Sequence, residues 1–63
     1  MRHFDYEKVA KEAGITAVAL EELRRLIRHE FPHDEMLYEL HLLRACRAIR
    51  DGRLKLEDAL RSE

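Results

Sequence analysis

His29-Glu30-Phe31-Pro32-His33 is the stretch of this chain whose residue types come closest to a reactive site. Two histidines at i and i+4 on one continuous helix aim both imidazoles at a single metal ion, and the glutamate between them can activate a bound water for hydrolysis. Pro32 breaks that geometry, because its ring would meet the carbonyl of Arg28 inside a helix and it has no amide hydrogen to donate. The two histidines are therefore expected on either side of a helix break, exposed in a loop, with no obvious third ligand. His41 and Cys46 make no better pair. Their spacing sets them about 140° apart around a helix axis, too far for a nucleophile and its base. No glycine-rich phosphate loop, serine elbow or cysteine pair is present, and the one serine is Ser62, near the end of the chain. The expectation is a protein with no catalytic residues, no metal and no cofactor.

The most suggestive charge pattern is a ladder of arginines, Arg44, Arg47, Arg50 and Arg53, recurring every third residue. Guanidinium groups in a row can bind phosphate or an acidic partner. Cations also suit the C-terminal end of a helix on dipole grounds alone. Glu35, Glu39 or Asp51 of a neighbouring copy could neutralise them if two such helices paired antiparallel, acidic start against basic end. That reading is preferred over nucleic acid, because 12 basic residues face 13 acidic ones and leave a net charge of −1.

These residues are expected on helices with clear punctuation. Asp5 can cap the first, with Phe4 and Val9 placed for a hydrophobic staple. Tyr6, Val9, Ala10 and Ala13 then form a one-sided stripe that Gly14 terminates. Thr16 caps a second helix. Its apolar residues Ala19, Leu20, Leu23, Leu26, Ile27 and Phe31 fall within about 140° of arc, and its polar face carries Glu21, Glu22, Arg24, Arg25, Arg28 and His29. Glu21 and Arg25 are spaced for an i, i+4 ion pair, and Pro32 ends the helix near Phe31.

The third helix is expected from about Asp34 to about Asp51, before Gly52, and its pattern is different. Tyr38, Leu42, Ala45, Cys46 and Ile49 make one apolar face; Met36, Leu40 and Leu43 make a second, about 120° away; Leu37 and Ala48 lie on a third edge with His41. A helix apolar nearly all round must be buried nearly all round. Two short neighbours are expected to cover one face and an edge, leaving the other for a second chain. The segment Leu54 to Leu60 reads as a short helix folded back after Gly52.

Val9-Ala10-Lys11-Glu12-Ala13-Gly14-Ile15-Thr16, continuing to Leu20 and Leu23, resembles the helix-turn-helix of lac-repressor-type regulators. Small Ala10, the turn glycine, Ile15 and the two leucines fall where that motif needs them. The resemblance covers a quarter of the chain and implies that Thr16, Ala17, Val18, Glu21, Glu22 and Arg25 would face a DNA groove, with Thr16, Ala17 and Arg25 as contacts. Two glutamates there would meet phosphates with the wrong sign.

A chain of 63 residues has room for one domain with a small core of marginal stability. A lone cysteine excludes an intrachain disulfide and, with no leader-like or membrane-length apolar segment, sets the expectation of a cytoplasmic protein. The sequence is thus expected to form an all-α domain over residues 1–63: a small bundle of three helices plus a short C-terminal helix, with the long third helix as spine. The core is expected from Val9, Ala13, Leu20, Leu23, Ile27 and Phe31 against Leu42 and Ile49. The function expected is that of a non-enzymatic interaction or regulatory module that self-associates, or binds a helical partner, through Met36, Leu40, Leu43, Arg44, Arg47 and Arg50. The competing expectation is a minimal DNA-binding protein using Val9 to Leu23.

Overall fold

A computed structural model describes residues 4–61 and shows an all-α bundle: α1 (Tyr6–Glu12), α2 (Ala17–Glu30), α3 (Glu35–Arg50) and the single turn α4 (Leu56–Ala59). Each long helix begins where a short polar side chain can satisfy the first free amides. Asp5 accepts from the amide of Lys8, Thr16 from Ala19, and Asp34 from Leu37. Two helices end on glycine. Gly14 (φ +77°) and Gly52 (φ +79°) adopt the left-handed conformation that closes a Schellman motif. After α1, Ile15 N–H donates to Ala10 and Gly14 N–H to Lys11; after α3, Arg53 N–H donates to Ala48 and Gly52 N–H to Ile49. Ile15 is thereby folded back into the core beside Ala10.

α4 is shorter than the expected Leu54–Leu60. The amide of Leu54 is drawn into the turn, donating to Ala48, so helical geometry restarts only at Leu56, and its N-cap Lys55 offers no side-chain bond.

α3 is the spine, and two pairs of contacts define how its neighbours lie. The amide of Phe4 donates to Glu39 at one end of α1, and Arg50 reaches Glu12 at the other (3.0 Å), so α1 runs parallel to α3. Arg24 bonds Tyr38 and Arg28 bonds Glu35 (2.9 Å), so α2 runs antiparallel to it. α1 and α2 both pack chiefly on α3 rather than on each other.

The buried core is Tyr6, Val9, Ala10, Ile15, Leu23, Tyr38, Leu42, Leu43 and Cys46. Of the expected core, Val9, Leu23 and Leu42 are buried, whereas Ala13, Leu20, Ile27, Phe31 and Ile49 are only partly covered. Leu43 requires a correction, since it belongs to the chain's own core and not to an outer face. At 100° per residue it lies within about 40° of Glu39 and Arg50, the two residues that tie down α1, so α1 covers it. The two neighbours therefore cover more of α3 than one face and an edge.

Leu42 is completely buried, while a Cβ at Gly14 would meet no atom within 4 Å. Leu42→Ala should therefore remove about 2–5 kcal/mol through lost contacts and a cavity. Gly14→Ala should remove only about 1–2 kcal/mol, the conformational cost of a left-handed alanine. Urea unfolding followed by circular dichroism checks both, and a Gly14→Ala effect as large as that of Leu42→Ala would contradict this account of the core.

Candidate interaction surfaces

With α1 and α2 in place, α3 keeps one outward strip. Met36 is 53% exposed, Leu40 half-buried, and Arg44 and Arg47 exposed, all within about 80° of arc, with Leu37 and Ala48 half-buried along its edge. The strip is apolar toward the N-terminal half of α3 and basic toward the other. Of the six residues expected at an interface, the structure brings four together here. Leu43 is lost to the core, and Arg50 lies on the α1 side with Glu12.

The arginine ladder divides in the same way. Arg50 donates to Asp51 (3.1 Å) as well as to Glu12, and Arg53 approaches Asp51 at 3.6 Å. These contacts, the Arg50 hydrogen bond first, hold the Asp51 carboxyl below its usual range. Arg44 and Arg47 have no ion-pair partner among the described residues. Glu39, considered above as a charge for another copy, is instead buried and accepts the amide of Phe4.

The polar face of α2 also sorts differently from its sequence pattern. Glu21 pairs with Arg24 (3.4 Å), not with Arg25. The reason is Tyr38. Arg24 donates from Nε to the Tyr38 hydroxyl at 3.2 Å, and Arg28 lies with its Cζ 3.7 Å from the Tyr38 ring centroid. Both arginines turn toward α3, where cation–π contact contributes about 0.5–2 kcal/mol. Sequence reasoning placed them on the solvent face; an aromatic on the facing helix was the signal it did not use. Arg25 remains exposed without an ion-pair partner among the described residues.

All six positions assigned to a DNA groove, Thr16, Ala17, Val18, Glu21, Glu22 and Arg25, are exposed, and Val18 at 84% is the most exposed large apolar side chain described. The hydroxyl of Thr16 is engaged as the helix cap. Farther along α2, an open groove of about 510 Å³ lies against α4, with Leu26, Ile27 and Ala59 among its apolar lining and Arg25, His29 and Arg61 among its basic groups.

The remaining reactive residues stay apart. His29 ends on the last turn of α2 and His33 sits in the linker before α3, with the helix break between them. Among the described residues no group of three or more histidine, cysteine or acidic side chains is placed to share a metal ion. His41 stacks on Phe31, ring centroids 4.5 Å apart and planes at 23°. Cys46 is fully buried, and loss of solvation pushes its thiol up to about 11. No described helix is long and apolar enough to cross a membrane. Comparison with protein-family models, curated proteins and solved structures finds no match to this chain.

Because the thiolate is the reactive form, Cys46 should stay neutral and unreactive at pH 8 in the folded protein. Ellman's reagent should label it only as fast as the bundle opens, with the rate rising steeply in urea. Full labelling at the rate of a free thiol without denaturant would contradict its burial.

Proposed function

We propose that this protein is a non-enzymatic helical interaction module that self-associates through the outward strip of α3, Met36, Leu40, Arg44 and Arg47. The observation that carries this reading is the division of the ladder. Two arginines are neutralised within the chain, while two stand unpaired beside the half-buried Leu40 and the exposed Met36. In an antiparallel pair, the stems of Arg44 and Arg47 would cover the apolar half of the partner's strip, and their charges would approach the acidic start of its helix at Asp34. A two-fold axis makes one such contact into two. The buried, neutral thiol of Cys46 suits a cytoplasmic setting, where no disulfide is required.

The strip is about 16 Å long and about 10 Å wide, well below the roughly 800 Å² that each partner contributes to a standard interface. Association through it alone would be weak and dependent on concentration.

A minimal helix-turn-helix DNA-binding protein is the second reading, favoured by the exposure of the six positions on α2. Against it, Glu21 and Glu22 would face phosphates, and the two helices of the motif pack on α3 rather than on each other.

Light scattering over a concentration series should give a mass that rises from the 7.5 kDa of one chain toward 15 kDa. Leu40→Glu should shift that rise to at least about tenfold higher concentration by placing a charge in the apolar half of the strip, with helicity unchanged. A Leu40→Glu variant that associates like the parent chain would remove α3 from the reading, and a salt-sensitive shift of duplex DNA would move it to the second.

A further inference from the structure

α2 carries a second surface whose order of residues is its own complement. Val18, Glu22, Arg25 and His29 fall within about 60° of arc and form a straight stripe about 16 Å long on the side away from Leu23. Val18 and His29 are equidistant from the middle of the stripe, and so are Glu22 and Arg25. All four are exposed, and neither Glu22 nor Arg25 has an ion-pair partner among the described residues. The apolar knob stands at one end, and the groove against α4 opens at the other.

We infer that two copies of this chain pair through α2, antiparallel about a two-fold axis, with Glu22 of each against Arg25 of the other and Val18 of each entering the partner's groove between α2 and α4. The symmetry does the work. Turning the helix end for end superposes the positions of Glu22 and Arg25, so one charge pair necessarily becomes two. The same operation carries Val18 to the level of His29, where the groove presents Leu26 and Ala59. A parallel arrangement would set Glu22 on Glu22 and Arg25 on Arg25. A duplex nucleic acid fits the stripe less well, because Glu22 and the neighbouring Glu21 would oppose its phosphates. This surface is distinct from the α3 strip, so a chain using both would join two different copies and assemble beyond a dimer.

Reversing one charge at a time tests the pairing, because both residues are exposed and neither caps a helix. Glu22→Arg and Arg25→Glu are prepared separately in the parent chain and in Leu40→Glu, and circular dichroism confirms unchanged helicity. Each reversal alone sets like charges together and should weaken association by about tenfold or more. An equimolar mixture of the two variants brings opposite charges together at both pairs, and light scattering with native mass spectrometry should find a mixed dimer at the parent's concentration. The inference is overturned if single reversals leave the mass profile unchanged in both backgrounds, or if the mixture associates no better than its components. It is equally overturned if Arg25→Glu instead abolishes binding to duplex DNA with self-association intact. Reversals that act while Leu40→Glu has no effect support the α2 pairing and sink the α3 reading; the opposite result does the reverse. A chain that stays monomeric at every concentration sinks both.

Discussion

The phenol of Tyr38 is where the two long helices are fastened together, and most of the molecule's polar order follows from it. Its ring is buried under the guanidinium of Arg28, and its hydroxyl accepts from Arg24. A buried hydroxyl without a partner would be destabilising by about 1–3 kcal/mol, so the arginine is drawn inward by necessity. Arg24 also approaches the ring of Tyr6, with its Cζ 5.9 Å from the centroid, which links α1 to the same joint. Below this polar lid lie Leu23, Leu42 and Cys46, each essentially without exposure. The core is thus a thin apolar layer along one arc of α3, closed above by arginines acting as both cover and hydrogen-bond donors.

That joint decides which charges are left over. With Arg24 and Arg28 turned toward α3, Glu21 and Glu35 follow them into ion pairs. On the other side Arg50 is held by Glu12 and Asp51. These pairs are half-exposed, so each adds little to stability; their effect is to orient side chains and remove charges from circulation. Among the described charges left without an ion pair are Glu22 and Arg25 on α2, and Arg44 and Arg47 on α3. The surfaces proposed for association draw on these left-over charges where they stand beside exposed apolar side chains, Met36 on α3 and Val18 on α2.

Single residues announced most of the helix boundaries. Asp5, Thr16 and Asp34 could be read as caps because a short acceptor before an apolar-periodic run has one obvious partner, the amide three residues on. Gly14 and Gly52 were legible as terminators because the left-handed backbone they adopt strains any residue with a Cβ. The periodicity of α3 showed that it must be covered on several sides, but it carried no information on where each neighbour would lie. Leu43 was misplaced for that reason: only the parallel course of α1, set by the distant Phe4–Glu39 and Glu12–Arg50 contacts, puts it inside. Glu39 and Arg24 were unreadable in the same sense. Each looks like a surface charge within its own helix, and its role depends on a group 35 or 14 residues away.

Incomplete coverage of α2 connects stability to association. Its apolar stripe is strongly one-sided, yet Leu23 alone is fully buried; Leu20, Leu26 and Ile27 remain partly open. The element that should cover the far end is α4, a single turn with no side-chain cap and no fully buried residue. A partner seated against the groove would remove more of Leu26 and Ala59 from water, and burial of apolar area contributes about 25 cal/mol per Å². Any ligand that binds only the folded chain also stabilises it by mass action, by about 2.7 kcal/mol at a hundredfold excess over the dissociation constant. That is comparable to burying one large side chain, a substantial share of the stability available to a 63-residue domain. On the proposed reading, then, pairing completes a bundle whose own fourth helix is too short to finish it, and folding and self-association are coupled through the same half-covered leucines.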